Sequence, residues 1–89
     1  ISMWNQFTTI SSWQQDQPDD LQYFSRSGDN NWWYRKSAHF SETFGTWNPA
    51  EDWGSIWELY FTEGVSAEKQ FVINKINLVD SLFEALEAF

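Results

Sequence analysis

The chain has 89 residues, thirteen acids against five bases for a formal net charge of −8, no cysteine, and aromatic rings at 20% of its positions. That length supports one hydrophobic core, so residues 1–89 read as a single domain, and so many rings exclude a disordered tail. The charge excludes direct nucleic-acid binding, which needs a basic footprint, and the lack of thiols excludes disulfides and points to the cytoplasm.

The N-terminus lacks the basic and apolar runs of a secretory signal, and Met3 is the expected native start, with Ile1 and Ser2 left over from expression. Trp4, Phe7, Ile10 and Trp13 recur every three residues, which predicts a short helix. Pro18, Asp19 and Asp20 break it. "LQYFSRS" and "NWWYRKSAHF", joined by "GDNN", predict a hairpin. Alternation places Trp32, Tyr34, Ala38 and Phe40 on one face of its second strand, with Trp33, Arg35, Ser37 and His39 on the other.

"SETFGTWNPAEDWGS" reads as a long loop on its glycines and Pro49. "SIWELYFTE" alternates, with Trp57, Leu59 and Phe61 opposed to Ile56, Glu58 and Tyr60, and is expected to be the third strand. Gly64 ends it. Residues 66–89 predict a long helix with Ser66 as N-cap and Glu68 favourably charged in its first turn. Its apolar arc runs from Phe71 and Val72 through Ile76 and Val79 to Leu86 and Phe89. Lys75 falls inside that arc, either reaching water along its stem or paired with a carboxylate. No stretch nears the ~18 uncharged apolar residues of a membrane span. The expected fold is α+β: a short N-terminal helix, a three-stranded antiparallel meander, and a long C-terminal amphipathic helix packed on one sheet face.

Beside the rings stand only five leucines, five isoleucines, three valines and one methionine. Each large apolar side chain contributes about 1.5–3 kcal/mol when buried, against about 1–2 kcal/mol per residue of backbone ordering. Most rings are therefore expected inside, with Trp32, Trp57, Phe61 and Phe24 foremost.

Catalytic chemistry finds little support. One histidine and no cysteine exclude the common zinc sites, and "SGDNN" has too few carboxylates for calcium. His39 and Ser41 are too close in sequence to imply a nucleophile pair, and no elbow motif surrounds them. Glu51 and Asp52 are paired acids without a body large enough for a sugar cleft. Neither a phosphate loop nor a dinucleotide fingerprint occurs. No catalytic residue, metal or cofactor is expected.

What remains is a small acidic interaction protein that binds, and by binding blocks, a basic protein partner, as an immunity protein, an antitoxin or a nucleic-acid mimic would. Bases Arg26, Arg35 and Lys36 cluster on the hairpin, whereas residues 37–68 hold six acids and no lysine or arginine. The expected contact comprises Trp47, Glu51, Asp52 and Trp53 of the loop, with Glu42, Glu58 and Glu63. The loop tryptophans can equally pin that loop to the core. A C-terminal helix of about 35 Å on a globule roughly 31 Å across leaves apolar surface for a homodimer, expected at Lys75, Leu78, Leu82 and Phe89. Two alternatives stand beside this: a module stacking a sugar or planar molecule on its rings, and a purely structural homodimer subunit.

Overall fold

The computed structural model describes residues 2–25, 31–64 and 67–88. Helix α1 (Met3–Ile10) starts where the Ser2 hydroxyl accepts the Asn5 N–H at 3.1 Å, which satisfies one of the free donors at a helix start. Ser12, at φ 56°, then turns the chain sharply. The Trp13 N–H bonds back to the Thr8 carbonyl at 3.0 Å.

Three short strands follow: β1 (Gln14–Gln15), β2 (Tyr23–Phe24) and β3 (Trp32–Arg35). They form an antiparallel sheet in the order β1-β3-β2, with Gln14 opposite Trp33, Tyr23 opposite Arg35, and Phe24 opposite Tyr34. The β2–β3 pairing is the expected hairpin, although its "GDNN" turn lies outside the described residues. The third strand is not the one expected. It is β1, just after α1, and the last strand in sequence takes the centre. Asp16 and Asn31, both at positive φ, hold the far end of the β1–β3 pair through an amide-to-carboxylate bond of 3.1 Å.

Residues 49–63 are helix α2 (Pro49–Glu63), in place of the expected loop and strand. Asn48 caps it, its side-chain oxygen accepting the Glu51 N–H at 2.9 Å. Pro49 stands at the first turn, where its missing N–H costs nothing, and Glu51 and Asp52 lie at the positive end of the helix. Gly64, at φ 68°, ends it in a conformation that side chains resist. The period of 3.6 changes every facing. Asp52, Ser55, Ile56 and Leu59 turn inward, and Phe61, expected in the core, is 64% exposed.

A 3-10 stretch (Ala67–Val72) leads into helix α3 (Ile73–Glu87). The expected N-cap Ser66 and the terminal Phe89 lie outside the described residues, as does the Glu68 side chain. At about 1.5 Å per residue α3 spans only ~22 Å, while the molecule measures 42 × 28 × 19 Å. The overhang that argued for a dimer does not arise. The main packing partners of α3 are α1 and α2 rather than the sheet.

The centre consists of Phe7, Ile56, Leu59, Val72, Ile76 and Val79, with Trp53, Trp57, Tyr60 and Leu78 packed against it. This corrects the expected ring-filled core. Closely approaching helices leave space for branched aliphatic chains, and the larger rings bury one side while a rim stays wet. Trp32 and Trp57 are half-buried, and Phe24 is 45% exposed. A second ring cluster ties the sheet to this core. Buried Trp13 meets Trp32, Tyr34 and Phe40 at centroid distances of 5.4–6.2 Å.

Candidate functional site

Two charged residues meet in the interior. Asp52 points inward from the first turn of α2 at 0% exposure, and Lys75 reaches it from α3 at 2%. The Lys75 ammonium donates to Asp52 Oδ1 at 2.9 Å and to the His39 carbonyl at 2.7 Å, and lies 4.0 Å from the Phe40 ring centroid. The Trp13 indole N–H donates to Asp52 Oδ2 at 3.0 Å. Burial raises the Asp52 carboxyl above its usual 3.8, opposed by the Lys75 charge and both hydrogen bonds. Burial likewise lowers the Lys75 ammonium below 10.5, opposed by Asp52. A donor-only group here meets an acceptor-only group. The pair clamps α2, α3, Trp13 and the 39–40 segment together and is almost wholly shut off from solvent. Asp52 therefore does not belong to a contact surface, and Lys75 does not belong to an interface between copies.

The surface feature lies one residue further round α2. Trp53, Trp57 and Phe61 recur every four residues and form a stripe, with centroids 5.9 Å and 5.3 Å apart. Trp4 of α1 joins Trp53 at 5.9 Å, and Phe83 of α3 joins Phe61 at 5.7 Å. Its wettest rings are Trp4, 43% exposed, and Phe61, 64%.

Carboxylates border this stripe. The Tyr60 hydroxyl donates to Asp80 Oδ1 at 2.7 Å. That bond first, then burial, then the charges of Asp80, Glu84 and Glu87 push the Tyr60 phenol up to about 12. Tyr60 thus reports a negative potential along the α3 side. On the other side Glu51 and Glu58 are exposed. The only base in α2 or α3 is the buried Lys75.

The expected contact residues do not form one patch. Glu42 precedes a 3-10 turn (Thr43–Thr46) and Trp47, 49% exposed, follows it. Glu51 and Glu63 are separated by about 18 Å of helix at 1.5 Å per residue. Trp53 joins the ring stripe, Glu58 flanks it, and Glu63 sits at the C-terminal end of α2. Leu78 packs on the core, Leu82 is half-buried, and Phe89 is outside the described residues. Trp4, Tyr60, Phe61, Phe83, Asp80, Glu84 and Glu87 were not expected at a site. The signal for the two on α2, Tyr60 and Phe61, was present: an Asn-Pro start with Glu51 behind it, followed by rings spaced four apart.

Among the described residues no cluster of three or more histidine, cysteine or acidic side chains is placed to hold a metal. No described helix is long and apolar enough to cross a membrane. Comparison with known proteins finds no protein-family model, no curated protein and no solved structure that matches this chain.

Proposed function

We propose that this protein is a small acidic interaction protein that binds and occludes a basic protein partner, with the aromatic stripe of α2 and its neighbours as the contact. One observation carries the reading: a continuous, partly exposed run of rings edged by Glu58, Asp80, Glu84 and Glu87, with no exposed cation on either helix. Rings of this kind dominate binding energy where a partner excludes water from them. The carboxylates select arginine and lysine and speed the encounter, and a guanidinium also rests favourably on an indole face. The occupant is therefore a partner segment that carries arginines or lysines beside apolar side chains. A second copy of this chain fits worse, because it would press one acidic rim against another. A cytoplasmic setting for this encounter is part of the proposal, supported by the lack of cysteine.

The test uses a labelled amphipathic leucine–arginine peptide and a leucine–glutamate peptide of equal length, followed by fluorescence anisotropy. Only the basic peptide should bind, and more weakly as salt rises from about 50 to 300 mM. Phe61→Ser combined with Glu84→Gln and Glu87→Gln should weaken it by at least about tenfold, with helix content unchanged. Absence of binding, salt-independent binding or equal binding of both peptides overturns the proposal.

A further inference from the structure

The sheet carries a second surface, independent of the helical stripe. Its register sets Gln14, Trp33, Tyr23 and Arg35 on one face. The opposite face presents Trp32, Tyr34 and Phe24, and it packs toward the core through Trp13 and Phe40. The first face is thus turned away from the helices. Together with the bend before β2 it forms a groove of about 410 Å³ whose lining includes Gln17, Asp19, Asp20, Tyr23, Trp33 and Lys36. That volume lies within the ~300–1,000 Å³ usual for small-molecule sites.

Trp33 is the unexplained residue there. Trp13 bonds to Asp52, and Trp4, Trp53 and Trp57 belong to the stripe. The half-buried Trp33 side chain has neither a ring contact nor a hydrogen bond among the described residues. Its surroundings are already ordered. Tyr23 accepts a 3.0 Å bond from the Gln14 amide and lies under the Arg35 guanidinium, 5.1 Å from its centroid. Asp20 Oδ1 accepts the Gln22 N–H at 2.8 Å, which fixes that carboxylate and leaves its other oxygen open.

The lining decides the ligand class. Asp19 and Asp20 repel anions, Lys36 beside them opposes a cation, and these polar groups, set among Pro18, Leu21 and Phe24, disfavour a purely apolar molecule. A neutral molecule with many hydroxyls and one apolar face satisfies all three constraints. We propose that this groove binds a neutral saccharide, with the C–H face of a pyranose ring against Trp33 and its hydroxyls held by Asp19, Asp20, Gln17 and Lys36.

The indole N–H signals of the seven tryptophans give a site-resolved readout by nuclear magnetic resonance. Cellotriose, maltotriose and N-acetylchitotriose serve as probes, with glycerol as the control. At least one trisaccharide should move the Trp33 signal and saturate at roughly millimolar concentration, leaving Trp53 and Trp57 in place. Trp33→Ala should abolish binding. Asp19→Asn with Lys36→Met, both at exposed positions, should weaken it about tenfold without disturbing the ring. A Trp33 signal unmoved by all three sugars, an equal shift with glycerol, or unchanged affinity in the Asp19/Lys36 double variant overturns the assignment.

Discussion

Replacing Lys75 by methionine isolates the interior ion pair. Methionine keeps most of the stem's volume, so the change is electrostatic more than steric. It removes the donors to Asp52 and to the His39 carbonyl, and leaves the carboxylate, at 0% exposure, with only the Trp13 indole. Removing one member of a buried pair costs about 3–5 kcal/mol, because the other stays charged and uncompensated. A chain of this length has a total stability of roughly 4–13 kcal/mol, so the variant should lose about a fifth of it or more. The pH dependence supplies a second criterion. Burial already raises the Asp52 carboxyl above 3.8, and the Lys75 charge is what restrains it. Without Lys75 it rises further. A carboxyl raised in the folded state favours the protonated fold, so the variant regains stability as pH falls through that higher value toward 3.8. The gap from the parent protein is therefore widest at neutral pH and narrows on acidification. Urea unfolding of the parent, Lys75→Met and Lys75→Met with Asp52→Asn at several pH values measures it. A loss below about 1 kcal/mol at neutral pH, or a gap that ignores pH, refutes the buried-charge argument.

Two smaller predictions follow from other contacts. Phenolate absorbance should show Tyr60 ionising at about 12, and Asp80→Asn should bring it back toward 10.0; the neutral phenol favours the fold below 10.0, and that contribution is lost as pH climbs toward the raised value. Asn48→Ala should cost about 0.5–2 kcal/mol in thermal or urea unfolding, by removing the hydroxyl-free cap at the start of α2 that only its side-chain amide oxygen supplies.

Local signals were legible where one period was unambiguous. The three-residue spacing of Trp4, Phe7 and Ile10 gave α1, and ring-rich flanks around a polar turn gave the β2–β3 hairpin. Lys75 stood out as a charge on an apolar arc, and pairing with a carboxylate was one of its two readings. The failure lay at residues 49–63. "SIWELYFTE" satisfies strict alternation, yet Trp53, Trp57 and Phe61 also satisfy a spacing of four, and a short aromatic run does not separate the two periods. The Asn48–Pro49 cap does, but glycine and proline drew that stretch toward a loop. Asp52 was legible only as an acid. Its inward direction follows from the helix, and its partner lies on another helix, so the pair depends on tertiary packing. The energy count that sent most rings inside treated each as wholly buried or wholly exposed, whereas Trp57 buries one side against the core and leaves the rest in the stripe.

The edge-to-face succession of Trp4, Trp53 and Trp57 at 5.9 Å intervals has an optical corollary. Chromophores that close exchange excitation faster than they emit, so a photon absorbed at α1 can leave from the middle of α2. Emission should be strongly depolarised even in a viscous medium, and one quencher docked beside Phe61 should darken indoles it never touches. The near-ultraviolet dichroism should carry paired bands of opposite sign from the coupled transitions, and their change on heating would mark the moment α1 parts from α2.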